Sequence, residues 1–436
     1  MRLKPVVDKV FLEFLGKPLI EWQLEKLVQV GLDEILIVGR DFNLAKMRAV
    51  AKKFKQRIEV IEQGKIEGMA GAIFTVEKYI KKEPVLIVNA NDFVDLEIYK
   101  NVLRAAKNPY FSSIIAAKKV TEYFPGGYLS VKNVKDNQQI TGIVEKPGAG
   151  KEPSKLVNLV IHYHRNSEAL YKALHAAKSK KDDLYEVALS NLIKADAKMQ
   201  AVIYEGTWNT IKYPWHVLDM MNLMLGKIAK KYRSGKKVEV AKSATIRGEN
   251  VFLDDGVRVL DNAVIVGPAY IGKNSVVATN ALVREAHVGA NCVIGFGTEV
   301  ARSYLGDNVW THGNYVGDSV IGNDVSFGSG TVTGNLRLDE KNIMVNVNGE
   351  KTDSSRNKLG LITGDHVRCG INTSTMPGTK IGSNSFVGAG IVVAQDIDDN
   401  KYVYGKSELV VKENRGKSEN RNANVNLSSK KKLIKK

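Results

Sequence analysis

The chain has 436 residues, 44% of them hydrophobic, which is enough for two or three domains with cores of their own and too many for one compact domain. No run approaches the roughly 18 apolar residues of a membrane span, and the opening MRLKPVVDKV lacks the apolar stretch of a secretion signal, so a cytoplasmic protein without a membrane partner is expected. Cys292 and Cys369 stand alone, which argues against a disulfide framework or a CxxC zinc site and leaves two small core residues, while a net charge of +17 admits anionic partners.

From Lys17 to about Leu225, β-branched runs alternate with helical stretches, the pattern of a parallel sheet wrapped by helices. Leu19–Val30 carries apolar residues at helical spacing and stops at Gly31, and Glu34–Val38, Ile58–Ile61, Pro84–Val88 and Ser113–Ala117 read as strands. A ligand would then sit at the carboxyl ends of those strands. Lys227–Lys237 is a polar, basic connector, and beyond it the period changes. IGKNSV (271–276), VGANCV (288–293), LGDNV (305–309), IGNDV (321–325), FGSGTV (327–332) and IGSNSF (381–386) repeat one hexad, in which an aliphatic residue points into a thin core and Gly or Asn turns a corner. Such repeats predict a parallel β-helix over residues 238–411. Asn335–Lys358 leaves the hexad register as a charged excursion, the kind of departure from a rigid solenoid on which a ligand site is built. Residues 412–436 hold nine Lys or Arg against two Glu and read as a disordered basic tail, which accounts for much of the positive charge, so nucleic acid is not an expected partner.

Short motifs fall in order along the first half. RLKPVVDKV places Arg2 and Lys9 seven positions apart; Gln63 precedes Gly68 in GMAGA; Asn91-Asp92 follows in VNANDFVD; Glu145-Lys146-Pro147 and Asn158 in LVNLVI come next. Together they resemble the sugar-1-phosphate nucleotidyltransferase family. The resemblance implies a Rossmann-like α/β domain over residues 1–226, with Arg2 and Lys9 neutralising phosphate charge and Gln63 and Gly68 at the nucleotide base. It also implies Glu145, Lys146 and Asn158 at the sugar and Asp92 as a ligand for Mg²⁺, with UTP or another NTP as substrate. Three features depart from the family pattern. The resemblance begins inside the signature, without the family's Gly-rich phosphate loop; Met69 stands where a Thr is usual; and Trp208-Asn209-Thr210 has no carboxylate where a second metal ligand belongs. These departures weigh against catalytic competence of this half.

In the second half, THGNYVGDSVIGNDVSFGSGTVTGN (311–335) resembles the acetyltransferase part of the bifunctional glucosamine-1-phosphate N-acetyltransferase/N-acetylglucosamine-1-phosphate uridyltransferase family. That resemblance implies left-handed coiling, His312 as general base, and Arg284, Tyr315, Asn335 and Lys358 as contacts for a sugar phosphate. Acetyl-CoA would lie along Gly370, Ile371, Asn372 and Ala389, in a homotrimer. The residue types suit this chemistry, since an imidazole can take the proton of an attacking amine, Arg offers a planar fork to phosphate and Lys a point charge. Ala301, with Arg302 beside it, replaces a basic residue of the family, and Ser326 replaces an Asn. The leading expectation is an acetyl-CoA-dependent N-acetyltransferase on an amino-sugar-1-phosphate. The alternatives are a working sugar-1-phosphate nucleotidyltransferase and a silent regulatory or scaffold paralogue.

Overall fold

The computed structural model describes residues 3–6, 8–80, 82–179, 181, 183–406, 410–414 and 416. Arg2 and nearly all of the basic tail lie outside them.

In the first half the sequence reading of the elements holds: Leu19–Gln29 is helical, ending before Gly31 at φ +86°, and Glu34–Gly39, Arg57–Glu62, Val85–Val88 and Ser113–Lys119 are strands. The expectation of a parallel sheet holds only in part. Glu34–Gly39 and Arg57–Glu62 form a parallel pair, whereas six strands make a mixed sheet in the order Val85–Val88, Leu156–His164, Ser113–Lys119, Met199–Ile203, Asn137–Glu145, Gly127–Val134. Leu156–His164 runs antiparallel to both neighbours. Gly127–Val134 and Asn137–Glu145 form a hairpin closed by Lys135 and Asp136, both at positive φ. A two-residue turn of that handedness matches strand twist, and here it is built without the Gly that would advertise it.

The second half is the expected left-handed parallel β-helix. Strands of successive coils pair in parallel and in register, so that Val276 pairs with Val293 and Val293 bridges Trp310. Side chains such as Val259, Val277, Ile294, Val300, Ile321 and Val387 fill a continuous narrow core that also buries both cysteines. Burial pushes each thiol up to about 12, which keeps them inert. The glycine in second place of each hexad is required by closeness rather than by φ: a Cβ on Gly289 would meet the Gly306 carbonyl oxygen at 2.4 Å. The asparagines take the left-handed corners instead, as at Asn291 (φ 55°) and Asn308 (φ 58°).

Two expectations about this half are corrected. The connector 227–237 is not wholly a linker, because Arg233–Ser234 already pairs with Phe252–Leu253 as the first strand of the stack. The charged excursion 335–358 is in part an ordered, apolar element. Its middle folds into the hairpin Met344–Val347/Glu350–Asp353, which buries Ile343, Val345 and Val347 in one apolar cluster with the His216–Leu225 helix. Arg356 donates to Asp219 on that helix.

That cluster joins the two halves. Phe14, Leu19, Trp215, Met221 and Met224 share it with Tyr270, Tyr304, Leu359 and Ile362 of the β-helix. Tyr270, His287 and Tyr304 occupy one register position in three coils, so their rings stack at 4.9 Å intervals. The Leu15 N–H donates to His287 Nε2 at 3.1 Å, and the Tyr304 hydroxyl donates to the Glu13 carbonyl at 3.0 Å. Phe14, fully buried, packs on both rings.

Phe14→Ala is expected to cost about 3–5 kcal/mol in urea unfolding, as loss of a buried aromatic does, whereas Leu338→Ala, at an exposed position of the excursion, changes stability by less than about 0.5 kcal/mol. His287, pushed down to about 4 by burial, binds a proton more readily unfolded (6.5) than folded. Its contribution is therefore complete above about pH 6.5 and is lost as pH falls towards 4. His162 and His164, pushed down to about 3 and about 4, act with the same sign. Thermal midpoints should fall across that window, and less steeply in His287→Gln, which keeps an acceptor for the Leu15 N–H.

Candidate active sites

In the β-helix, coil stacking turns residues distant in sequence into columns. One corner column holds His312 and Gly313, then Ser329 and Gly330, then Ile371 and Asn372, then Ala389 and Gly390. Gly330 N–H donates to the Gly313 carbonyl at 3.1 Å, Asn372 N–H to the Ser329 carbonyl at 2.8 Å, and Gly390 N–H to the Ile371 carbonyl at 2.8 Å. Coils repeat at about 4.8 Å, so the column from His312 to Ala389 spans roughly 15 Å. Expected base and expected coenzyme residues are thus brought onto one edge. Gly370 is needed there, since a Cβ on it would come within 2.6 Å of the Ala389 nitrogen. His312 is exposed, its N–H donates to the Asn314 Oδ1, and its ring has no hydrogen-bond partner among the described residues.

Three residues past His312, Tyr315 begins a second cluster. Its hydroxyl accepts from Asn335 Nδ2 at 3.1 Å; the same nitrogen donates to Asp318 Oδ2 at 2.5 Å; and Asp318, 5% exposed, accepts two 2.7 Å bonds from the Arg302 fork. Gly317 leaves room beneath the tyrosine, where a Cβ would stand 2.5 Å from its hydroxyl and oblige the ring to shift. Asn335 and Lys358 meet across the base of the excursion, where Leu336 bridges Lys358 and the Leu359 N–H donates to the Asn335 carbonyl. Arg284 is at the edge of this group. It stacks under Ala301 and Gly317, and its guanidinium is held at 2.7–2.8 Å by Glu299, the residue in register with Tyr315. Asp318 and Glu299 were not singled out by sequence reasoning. Asp318, at φ 49°, reads in a hexad as one more corner residue, and nothing local marks it as the partner of Arg302 and Asn335.

In the first half, Asp92 and Thr210 face each other across a short antiparallel pair, Asp92–Val94 with Trp208–Thr210. Burial pushes the Asp92 carboxyl up, opposed by the Thr210 side chain and the charges of Lys212 and Lys9; burial in turn pushes the Lys9 ammonium down, opposed by Asp92. Among the described residues no group of three or more His, Cys, Asp or Glu side chains could hold a metal ion. One carboxylate with a hydroxyl opposite fits a Mg²⁺ that keeps waters and rides on substrate phosphates, not a protein-built cage. Glu145 and Asn158 converge on Gly127: a Cβ there would lie 3.0 Å from Glu145 Oε2 and 3.5 Å from Asn158 Nδ2. Lys146, at φ 45°, turns back to pair with Glu145 at 2.8 Å. Gln63 spends its amide N–H groups on the Ile66 and Gly68 carbonyls, both at 3.0 Å, and so shapes the loop that opens the Gly68–Ile80 helix.

Residues 2–211 match the nucleotidyl transferase family. The chain is 34% identical to the bifunctional protein GlmU of Methanococcus maripaludis (strain C7), over 95% of this chain and 97% of that one. It is 31% identical to the bifunctional protein GlmU of Methanocaldococcus jannaschii, over 94% and 96%. It is 32% identical to the bifunctional sugar-1-phosphate nucleotidylyltransferase/acetyltransferase of Sulfurisphaera tokodaii, over 91% and 95%. These relatives are named for two activities and align through both halves, so they lend no support to the expectation of a lapsed N-terminal half. The chain is a transferase and belongs to the family of bifunctional sugar-1-phosphate nucleotidylyltransferase/acetyltransferases.

Proposed function

We propose that the β-helix, from Arg233 to Val403, transfers the acetyl group of acetyl-CoA to the amine of an amino-sugar-1-phosphate, glucosamine-1-phosphate being the first candidate, and that the N-terminal half then joins the acetylated sugar phosphate to an NTP such as UTP with release of pyrophosphate. The place of the protein is nucleotide-sugar biosynthesis. Acetyl-CoA and NTPs are cytoplasmic substrates, which is the support for action there; among the described residues no helix is long and apolar enough to cross a membrane.

The observation that carries the acetyltransferase reading is the corner column, an imidazole at one end and glycine-thinned coils beyond it, beside the Tyr315–Asn335–Asp318–Arg302 cluster. In this reading the pantetheine arm lies along Ile371, Asn372 and Ala389. The sugar nitrogen attacks the thioester carbonyl while His312 takes its proton; the C–N bond forms, the C–S bond breaks and CoA leaves as the thiol. Asn335 and Tyr315 hold sugar hydroxyls, and Lys358 and Arg284 face the phosphate. Asp318 orients Arg302 and Asn335 by accepting from both. In the first half, Lys9 and Lys212 supply positive charge beside Asp92. A Mg²⁺ brought by the NTP would meet Asp92 and neutralise phosphate charge.

A homotrimer is part of the proposal. Its support is a line of exposed rings on one face, with Trp310 bridging Ser326 in register with Arg368, Phe386 and Tyr402, and Phe296 nearby. That face adjoins the corner column, so a neighbouring copy would wall the coenzyme site.

Thiol release from acetyl-CoA should depend on glucosamine-1-phosphate and drop at least about 100-fold in His312→Ala, the range of a lost general base; release that ignores the sugar or survives the substitution would sink this assignment. Pyrophosphate release from UTP and N-acetylglucosamine-1-phosphate should persist in His312→Ala and fall in Lys9→Ala. Absence of both reactions from the folded protein would favour the silent paralogue.

A further inference from the structure

Behind Asn158 lies a buried polar chain that the catalytic scheme does not use. His162 and His164 stand on the same face of the Leu156–His164 strand as Asn158, both out of solvent and both neutral, since burial pushes their imidazoles down to about 3 and about 4. Tyr185, on the Leu184–Lys194 helix, places its hydroxyl between them, 2.7 Å from His162 Nδ1 and 2.9 Å from His164 Nε2. Ser113 Oγ lies 2.9 Å from His164 Nδ1, and Asn158 Oδ1 lies 2.6 Å from His162 Nε2. Four hydrogen bonds thus link Ser113, His164, Tyr185, His162 and Asn158 in series.

A neutral imidazole has one N–H and one lone pair in its plane, and a phenol has one hydrogen; if both imidazoles donated to Tyr185, its buried hydroxyl hydrogen would have no acceptor among the described residues, so all four bonds point the same way. Pointing towards Asn158, the Ser113 hydroxyl donates to His164 Nδ1, His164 Nε2–H to Tyr185, Tyr185 O–H to His162 Nδ1, and His162 Nε2–H to the Asn158 carbonyl oxygen. Every hydrogen is used. Pointing the other way, the buried Ser113 hydroxyl hydrogen has no acceptor, for its Oγ makes no other bond among the described residues.

We infer that Ser113, His164, Tyr185 and His162 are positioning residues for the sugar site of the nucleotidyl half, fixing the Asn158 amide with its oxygen inward and its nitrogen towards Gly127, on which Glu145 also converges. This rests on the nucleotidyltransferase reading above. The Asn158 amide nitrogen and the Glu145 carboxylate then offer a donor and an acceptor around Gly127, the match for sugar groups of which one accepts and the other donates.

The test uses the full chain with UDP-N-acetylglucosamine in calorimetry, N-acetylglucosamine-1-phosphate and UTP in turnover, and ¹⁵N-histidine spectra. Tyr185→Phe keeps the ring stacked on His162 and removes the central hydroxyl. It is expected to raise the KM for the sugar phosphate and the Kd of the nucleotide sugar about tenfold, the size of one lost hydrogen bond. The KM for UTP and the acetyl transfer should stay within about twofold. His162→Gln, which retains a donor for Asn158, should recover much of the sugar affinity that His162→Leu loses. Spectra of the wild type should show both rings as the Nε2–H form. Unchanged sugar KM in Tyr185→Phe and His162→Leu, or equal loss for UTP and sugar, would overturn the inference, as would an Nδ1–H form at either ring. A wild-type chain that binds no nucleotide sugar would instead bring down the nucleotidyltransferase reading, and this inference with it.

Discussion

Parallel coils hydrogen-bonded at one fixed spacing are the constraint from which most of this structure follows. Each strand of the β-helix must lie in register on the one before it, so a position in one coil is repeated, a strand spacing away, in the next. Register of this kind makes His312, Ile371 and Ala389 neighbours on an edge. It also stacks Tyr270, His287 and Tyr304 into a ladder of rings. Glycine enters where coil approaches coil too closely for a Cβ, and asparagine where the chain must turn through the left-handed region.

The same rigidity gives the N-terminal half something to lean on. Its Phe14 and the His216–Leu225 helix bury against the ring ladder and against the hairpin that interrupts the coils, so the interruption works as a brace. His287 stacks within the ladder and accepts the Leu15 N–H, and Arg356 meets Asp219 at the other side of the junction. A neutral imidazole is what allows the first of these contacts, because a protonated ring has no lone pair to offer an N–H.

Both candidate sites rely on polar groups held by other polar groups. Asp318 orients Arg302 and Asn335 around Tyr315. In the other half, the chain from Ser113 to His162 orients Asn158 from behind. Buried networks of this sort are favourable only when every donor finds an acceptor, and that condition gives the chain its direction.

The sequence by itself determined the order of the parts. Hexads from Ile271 to Phe386 announce the β-helix because a coil with one residue facing the core at each corner leaves a six-residue period, and short motifs mark His312, Asn335 and Asn158 as candidates. The tertiary structure alone decided what depends on contacts between distant residues. The Gly127–Glu145 hairpin is not legible because Lys135 and Asp136 form its turn without glycine, whereas Asn348-Gly349, at φ 53° and 89°, carries the usual signal for the hairpin in the excursion. Asp318 looks like any corner residue until Arg302 and Asn335 are seen around it, and His162 and His164 look like core histidines until the Tyr185 hydroxyl, brought from another element, closes the chain between them. Periodicity reports which way a side chain faces; the partner it meets there is set by packing.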